Sequence, residues 1–407
     1  MAVWRVDRSR VATGHRCEQE RYWQYYGGET GFGLVPVAQS LPLATGSLVH
    51  AIIGDQLHGS VRTDPKPLIT ERLERYRAHA LKTGFISDDP DEEGPSKEWI
   101  VTEQSYLAAG IGLTFHKHIL PDLLDRFEII AVEPDIALNL GELTDDLTLT
   151  HDTKPDFIAR RKSDKAIVSW DLKTESNIDK GYADKWRMSV QMGVQCAGAA
   201  AYTGEPCNEY YILAIQKGMR SREYNPETQG YDGPKRQNSL FCYGYQFDSG
   251  LGPVQFAPKY KFKDESGKSR NLPKVWVKTP IWEMPLNGDT IADRMADYLA
   301  RVEGKYNPFD SFLEVGAYRV PEVMVKRYFD SLRISEWDWV IDKAKGARLV
   351  PSFQCWNEWG KRCAYWDLCY GEKAGAELNF TTRRPHHKGE LKEMKEAGVD
   401  VPSGWED

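Results

Sequence analysis

The sequence predicts an α/β fold, a mixed central sheet flanked by helices, from three observations. The run FEIIAVEPDIALNL at 127–140 is β-rich. DFIAR and AIVSWDLK form two short strands about a polar turn, and a helix over 185–202 leads into the strand EYYILAIQ. Helices, then strands, then a helix, then a strand is the order of a sheet covered by helices.

The remaining elements follow along the chain. Residues 7–26 (DRSRVATGHRCEQERYWQYY) read as a short helix around a cysteine, and 44–58 as a second helix whose Leu48, Val49, Ile52, Ile53 and Leu57 share a face. Residues 71–82 and 100–126 read as helices separated by the acidic loop DDPDEEGP, expected to be exposed. Residues 240–282 read as an inserted hairpin region and 287–345 as mostly helical. The stretch beyond Leu378 has little apolar content and reads as a mobile polar tail.

Composition narrows the function classes. With 41% hydrophobic and 28% charged residues in 407, the chain can bury a substantial core, which excludes global disorder. No run approaches the roughly 20 apolar residues of a membrane span, and MAVWRVDRSR lacks a signal peptide's apolar stretch, so a cytoplasmic protein is expected. Seven cysteines is an odd number for a disulfide framework and points to reduced thiols or metal ligands. A net charge of −7 leaves nucleic-acid contact to local patches. The candidate is the stretch from Lys154 to Arg187, with Arg160, Arg161, Lys162, Lys165, Lys173, Lys180 and Lys185; a solvated charged surface is its plain alternative.

The most informative segment is KPDFIARRKSDKAIVSWDLKT, residues 154–174. A turn centred on Ser163 and Asp164 makes paired positions sum to 327 and sets Asp156 opposite Asp171. Cross-strand Cβ atoms lie roughly 4.5–5.5 Å apart, close enough for two carboxylates to share a divalent ion. Period-2 alternation puts Lys173 on the face of Asp171. Such a trio suits phosphodiester hydrolysis: the acids hold Mg²⁺ or Mn²⁺ and the lysine positions water or offsets developing charge. An exposed hairpin with ordinary surface charges is the competing reading.

Pro155-Asp156 followed by Asp171-Leu172-Lys173 resembles the PD-(D/E)xK nuclease superfamily, and more narrowly its RecB/AddB-like branch. Gly46-Ser47-Leu48-Val49-His50 looks like that branch's GxxxH helix, which implies His50 as a ligand of the catalytic metal; a packed or capped histidine is the alternative. The helix containing Gln191-Met192-Gly193-Val194-Gln195 resembles the QxxxY motif, with glutamine at 195 in place of tyrosine; the resemblance places Gln191 near the active site. Thr153 stands where the family usually has glycine, and Glu133 at the position of an acidic residue seen in many relatives. The resemblance implies a restriction-endonuclease-like core at 127–216, with His50, Asp156, Asp171 and the Leu172 carbonyl around the metal and Lys173 assisting water attack.

Cys17 near the start, with Cys355, Cys363 and Cys369 spaced C-x7-C-x5-C near the end, resembles the iron–sulfur nucleases of the AddB and CRISPR-adaptation type. That likeness implies a [4Fe–4S] cluster joining 7–26 to 350–370 within one nuclease domain over 1–375, with 240–345 as an insertion of unknown role and 376–407 as tail. Four thiolates equally suit structural Zn²⁺. Cys196, Cys207 and Cys242 fit no pattern. Gly267-Lys268-Ser269 mimics the end of a P-loop, but Phe262 replaces its first glycine, so no ATPase motor is expected. His386 and His387 are too isolated to argue a second metal site.

The expected function is DNA hydrolysis, as an exonuclease on single strands or ends, alongside recombination or replication proteins and without a membrane. The stand-alone format suggests a phage, prophage or defence setting by analogy. A DNA-end or single-strand binding module of a recombination or packaging complex is the rival, and a zinc-stabilised interaction protein the third reading.

Overall fold

The computed structural model describes residues 2–38, 40–59, 64–85, 95–187, 189–225, 227–247, 254–258, 261–263, 266, 268–271, 276–305, 307–349, 363–370, 376–402 and 405. Most of the acidic loop DDPDEEGP, together with Cys355, lies outside them.

The N-terminal segment is a strand and two helices: β1 (Ala2–Val6), α1 (Arg8–Arg16) and α2 (Glu18–Tyr25). The single helix expected over 7–26 breaks at Cys17, whose extended backbone ends α1 and starts α2. Asp7 caps α1 by accepting from the Arg10 N–H, as a carboxylate at an N-cap does. After β2 (Leu34–Pro36) come α3 (Leu41–Leu57), α4 (Lys66–Thr83), α5 (Lys97–Thr114), a π turn at Phe115–Ile119 and α6 (Leu120–Arg126). Then follow β3 (Phe127–Val132), β4 (Ile136–Thr144), β5 (Leu147–Thr153), β6 (Phe157–Arg161) and β7 (Ile167–Glu175). Helix α7 (Val190–Thr203), preceded by a 3-10 turn at Asp184–Trp186, crosses to β8 (Cys207–Gln216).

The 240–282 stretch is indeed made of short strands. Beyond the ribbon β9 (Arg220–Asn225) and β10 (Gly230–Gln237) lie β11 (Tyr243–Phe247), β12 (Gln255–Ala257), β13 (Lys261–Lys263), β14 (Ser269–Asn271) and β15 (Val277–Pro280). The segment 287–345 is mostly helical, and between α8 (Ile291–Arg301) and α9 (Glu322–Ile341) it contributes one unexpected strand, β16 (Phe312–Arg319). That strand pairs antiparallel with β8 and forms one edge of the five-stranded central sheet β16-β8-β7-β6-β3. The chain ends in α10 (Trp366–Tyr370), β17 (Phe380–Thr382) and α11 (Lys388–Glu396).

The protein is thus a mixed α/β structure with several sheets. Within the central sheet β7 and β8 are parallel, joined through α7, while the other pairings are antiparallel. Alternation along β7 sends Val168, Trp170 and Leu172 into a core shared with α3 and α5. Ile167 packs on the opposite face with Met192, Cys196 and Ala199 of α7. A second sheet, β1-β5-β4, lies beside α9 and α1 through Val6, Val11, Leu149 and Leu332. No helix among the described residues is long and apolar enough to cross a membrane.

The polar tail is not mobile: it is docked. Strand β17 pairs with β2, and Arg383, His387, Glu390 and Met394 are buried. Glu390 takes ion pairs from both Arg10 and Arg383, and Arg5 bridges Glu393 and Asp152. Polar composition hid this because the contacts are charge pairs rather than an apolar stripe. Chain ends meet elsewhere too: Arg21 of α2 forms a buried bidentate pair with Glu336 of α9, and Lys343 reaches Glu18 at 2.6 Å.

Candidate active site

Strands β6 and β7 pair with the register set by a turn at Ser163 and Asp164: Phe157 faces Trp170, Ile158 faces Ser169, and Ala159 faces Val168. Asp156 immediately precedes β6, and its Oδ2 accepts from the Leu172 N–H at 2.5 Å. This bond brings Asp156 beside Asp171, at the middle of β7 and the open end of the β6–β7 hairpin. In a strand the N–H and C=O of one residue point the same way, so the Leu172 carbonyl also faces Asp156.

His50 arrives from α3, across the other face. Gly46, His50 and Gly54 recur at i, i+4 and i+8 on one side of that helix. A Cβ on Gly46 would stand 3.0 Å from Thr174 Oγ1, so glycine there lets α3 settle onto the end of β7. His50 Nδ1 then lies 3.4 Å from Asp156 Oδ1. Glu133, with φ +46, donates its N–H to the Asp156 carbonyl at 2.8 Å, while its side chain holds Lys154 at 2.5 Å.

Lys173 ion-pairs with Asp171 and lies 5.5 Å over the Trp186 ring. Helix α7 supplies two amides to the same carboxylate: Gln191 Nε2 donates to Asp171 Oδ1 at 3.2 Å and Gln195 Nε2 at 2.9 Å. Gln195, the shorter contact and the more buried residue, also sits against Asp171, a place that sequence reading gave to Gln191 alone. Its signal was the i,i+4 spacing from Gln191 on a helix already expected beside the site.

Burial dominates the electrostatics, and the two acids respond differently. Asp171 is 4% exposed, and burial together with the neighbouring Asp156 charge holds its carboxyl above the ordinary value despite Lys173 and Gln195. Burial acts on Asp156 in the same sense, but His50, Lys173 and the Leu172 N–H outweigh it and bring its carboxyl below the ordinary value. Burial also opposes the charged form of His50, yet Asp156 and Asp171 raise its pKa. Lys173 and the raised imidazole oppose the two carboxylates, and the oxygen that the Lys173 ammonium contacts is Asp171 Oδ2.

No three His, Cys, Asp or Glu side chains among the described residues form a ready-made metal cage. The Lys173 ammonium stands against Asp171 and neutralises it. Two carboxylates, an imidazole and a backbone carbonyl still make an oxygen-rich donor set of the type hard divalent cations take. Asp171, the more buried of the two acids, would exchange part of its Lys173 contact for such a cation.

Most of the basic stretch is paired, while Lys165 and Lys180 are exposed. Lys154 pairs with Glu133, Arg160 with Glu205, Arg161 with Asp164 and Glu209, Lys185 with Glu175, and Arg187 with Asp184; Lys162 donates to the Leu124 carbonyl. Of the cysteine quartet, Cys17 sits at the α1–α2 junction, Cys363 just before α10 and Cys369 within it. Cys17 and Cys363 both bear on the charge of Arg16. Tyr365 beside Cys363 ties the segment to β2 by donating to the Leu34 carbonyl at 2.8 Å. Cys196, Cys207 and Cys242 are buried in the cores, far in sequence from that junction. In comparisons with known proteins, no protein-family model matches this chain and no curated protein matches it.

Proposed function

We propose that this protein is a metal-dependent DNA nuclease built on a PD-(D/E)xK core. One observation carries the reading: Asp171 and Lys173 of β7, Asp156 just before β6 and His50 of α3 meet at the open end of a single hairpin. A purely structural ion pair does not need a second buried acid whose ionisation burial opposes.

His50, Asp156, Asp171 and the Leu172 carbonyl would hold Mg²⁺ or Mn²⁺. When bound, such an ion polarises the phosphate and lowers the pKa of a water. The Leu172 N–H fixes the Asp156 carboxylate in orientation, and Gln191 and Gln195 do the same for Asp171, so neither acid reorganises as charge develops. Lys173, held by Asp171 and Trp186, is placed to steady an attacking water and to offset charge growing on a phosphate oxygen. Cys17, Cys355, Cys363 and Cys369 would hold a [4Fe–4S] cluster, closing a loop of more than three hundred residues and stabilising the fold rather than taking part in hydrolysis. Substrates are single strands or ends of DNA, with recombination or replication proteins as companions.

The test is a time course on end-labelled single- and double-stranded DNA with and without Mn²⁺, for the wild type and for Asp171→Asn and Lys173→Met. Cleavage that needs Mn²⁺ and vanishes in both variants supports the reading. Undiminished cleavage by Asp171→Asn contradicts it, and binding without cleavage by the wild type moves the protein to the non-catalytic class.

A further inference from the structure

Positive charge is concentrated in the strands that follow β8. Residues 217–280 hold twelve lysines and arginines against six acidic residues, an excess of six in a chain whose net charge is −7. One of the twelve, Arg220, is taken by the buried Glu103 of α5. Pairing within the segment cannot cancel the remainder, and Lys235, Lys268 and Arg270 are exposed. A basic segment on an acidic chain is the electrostatic footprint of a polyanion.

The sheet β12-β11-β15 in this segment has one packed face and one that carries rings. Gly244 lies on the packed face: a Cβ there would stand 2.7 Å from the Tyr298 hydroxyl and 2.8 Å from the Met284 side chain. Alternation along β11 therefore places Tyr243, Tyr245 and Phe247 on the other face. Lys278 of β15 is opposite Tyr245 in the register, with its ammonium 5.2 Å from the Tyr243 ring. Trp276 packs on Phe247 with ring centroids 5.3 Å apart. Tyr243 is buried, whereas Tyr245, Phe247, Trp276 and Lys278 are half-buried.

A cavity of about 360 Å³ opens on this face, lined by Tyr243, Tyr245 and Lys278 together with Gln216, Asn238 and Ser239. Asp310 is the acid among its described lining residues and accepts from the Asn307 amide at 3.1 Å. Gln216 ends β8 beside Glu175 of β7, which stands four residues, roughly 13 Å of strand, beyond Asp171. Rings and a cation on one face of an antiparallel sheet match the flat faces and phosphates of unpaired nucleotides, since a base of any sequence can stack on a ring. In a duplex those faces are already stacked on neighbouring base pairs.

We propose that this face is a platform for single-stranded DNA, with Tyr245, Phe247 and Trp276 stacking on bases and Lys278 meeting phosphate. DNA as the occupant rests on the nuclease reading of the neighbouring site. The strands β9 to β15 are then the arm that selects an unpaired strand and leads it along the sheet to Asp171.

The experiment measures binding of a fluorescein-labelled oligothymidine to the full chain by anisotropy, in EDTA to stop hydrolysis and over a salt series. Wild type should bind it more tightly than a duplex of the same length and more tightly than an oligomer of abasic sugars. Tyr245→Ala and Trp276→Ala should each weaken oligothymidine binding roughly 5- to 100-fold and leave binding of the abasic oligomer little changed. Lys278→Gln keeps every ring and should make the slope of log affinity against log salt shallower by about 0.7; it serves if the alanine variants unfold. Unchanged affinity in folded alanine variants, or an unchanged slope in Lys278→Gln, overturns the platform, and an oligouridine bound more tightly than oligothymidine overturns DNA as its occupant. If wild type cleaves with Mn²⁺ while the variants bind as it does, the platform falls and the nuclease reading stands. If wild type binds through these residues and never cleaves, the platform stands and the nuclease reading falls.

Discussion

Replacing Gln195 with leucine separates a positioning role from a structural one. The wild-type side chain donates to Asp171 Oδ1 at 2.9 Å while its own Oε1 is buried without a partner. Leucine removes a hydrogen bond to a charged group, worth about 1.5–3 kcal/mol, and also removes an unsatisfied acceptor that costs about 1–3 kcal/mol. The two nearly cancel for folding, so urea denaturation should show stability changed by no more than about 1 kcal/mol. They do not cancel for the site. Asp171 keeps only Gln191 at 3.2 Å and Lys173 against a burial that already favours its protonated form, so the ionised carboxylate becomes harder to hold. Mn²⁺-dependent cleavage at neutral pH should fall roughly 10- to 100-fold, and raising the pH should recover part of the loss. The assay is single-turnover cleavage of a labelled strand over a pH series beside the denaturation curve. A large stability loss with proportionate inactivation, or full activity at every pH, would refute the reasoning.

Other perturbations follow from the same contacts. Glu336→Ala leaves Arg21 buried without its bidentate partner and should cost about 3–5 kcal/mol, read from urea denaturation. Gly46→Val sets side-chain atoms against Thr174, 3.0 Å from the glycine's ideal Cβ, and should cost about 1–3 kcal/mol while lowering cleavage more than stability, because His50 moves with α3. Cys17→Ala should yield poorly soluble protein without brown colour, checked by iron and sulfide analysis; iron-loaded, well-folded variant protein contradicts the cluster assignment, and zinc without iron replaces it. The tail contact should depend on pH: burial opposes charge on both His387 and Asp135, but their 2.6 Å pair raises His387 and lowers Asp135. The His387 contribution is complete below the ordinary imidazole value and lost as pH rises through its raised one, whereas that of Asp135 is lost as pH falls through its lowered one. Protection of the α11 amides, the intrinsic exchange rate divided by the observed one at each pH, should therefore be greatest between the ordinary values of 3.8 and 6.5 and fall at alkaline pH, and His387→Ala should flatten that fall.

The hairpin was legible in the sequence because its information is local. A polar turn fixes the centre, period 2 fixes the faces, and Asp156, Asp171 and Lys173 follow. His50 was legible only through the resemblance of Gly46-Ser47-Leu48-Val49-His50 to a GxxxH helix. Long-range order was not legible. Strand β16 is half exposed along its length and becomes an edge strand only because β8 offers it a partner. Strands β1 and β5 lie parallel although well over a hundred residues apart, a pairing no periodicity encodes. The tail looked mobile because Arg383, His387 and Glu390 are polar; their burial depends on Arg10 and Asp135, which a local window does not contain.

The most direct measurement is Mn²⁺ binding by titration calorimetry and electron paramagnetic resonance in the wild type and in His50→Gln, Asp156→Asn and Asp171→Asn. One site per chain, showing nitrogen coupling that disappears in His50→Gln and much weaker in either aspartate variant, is the expected result. Equal Mn²⁺ affinity in all four proteins would mean that these side chains do not share an ion.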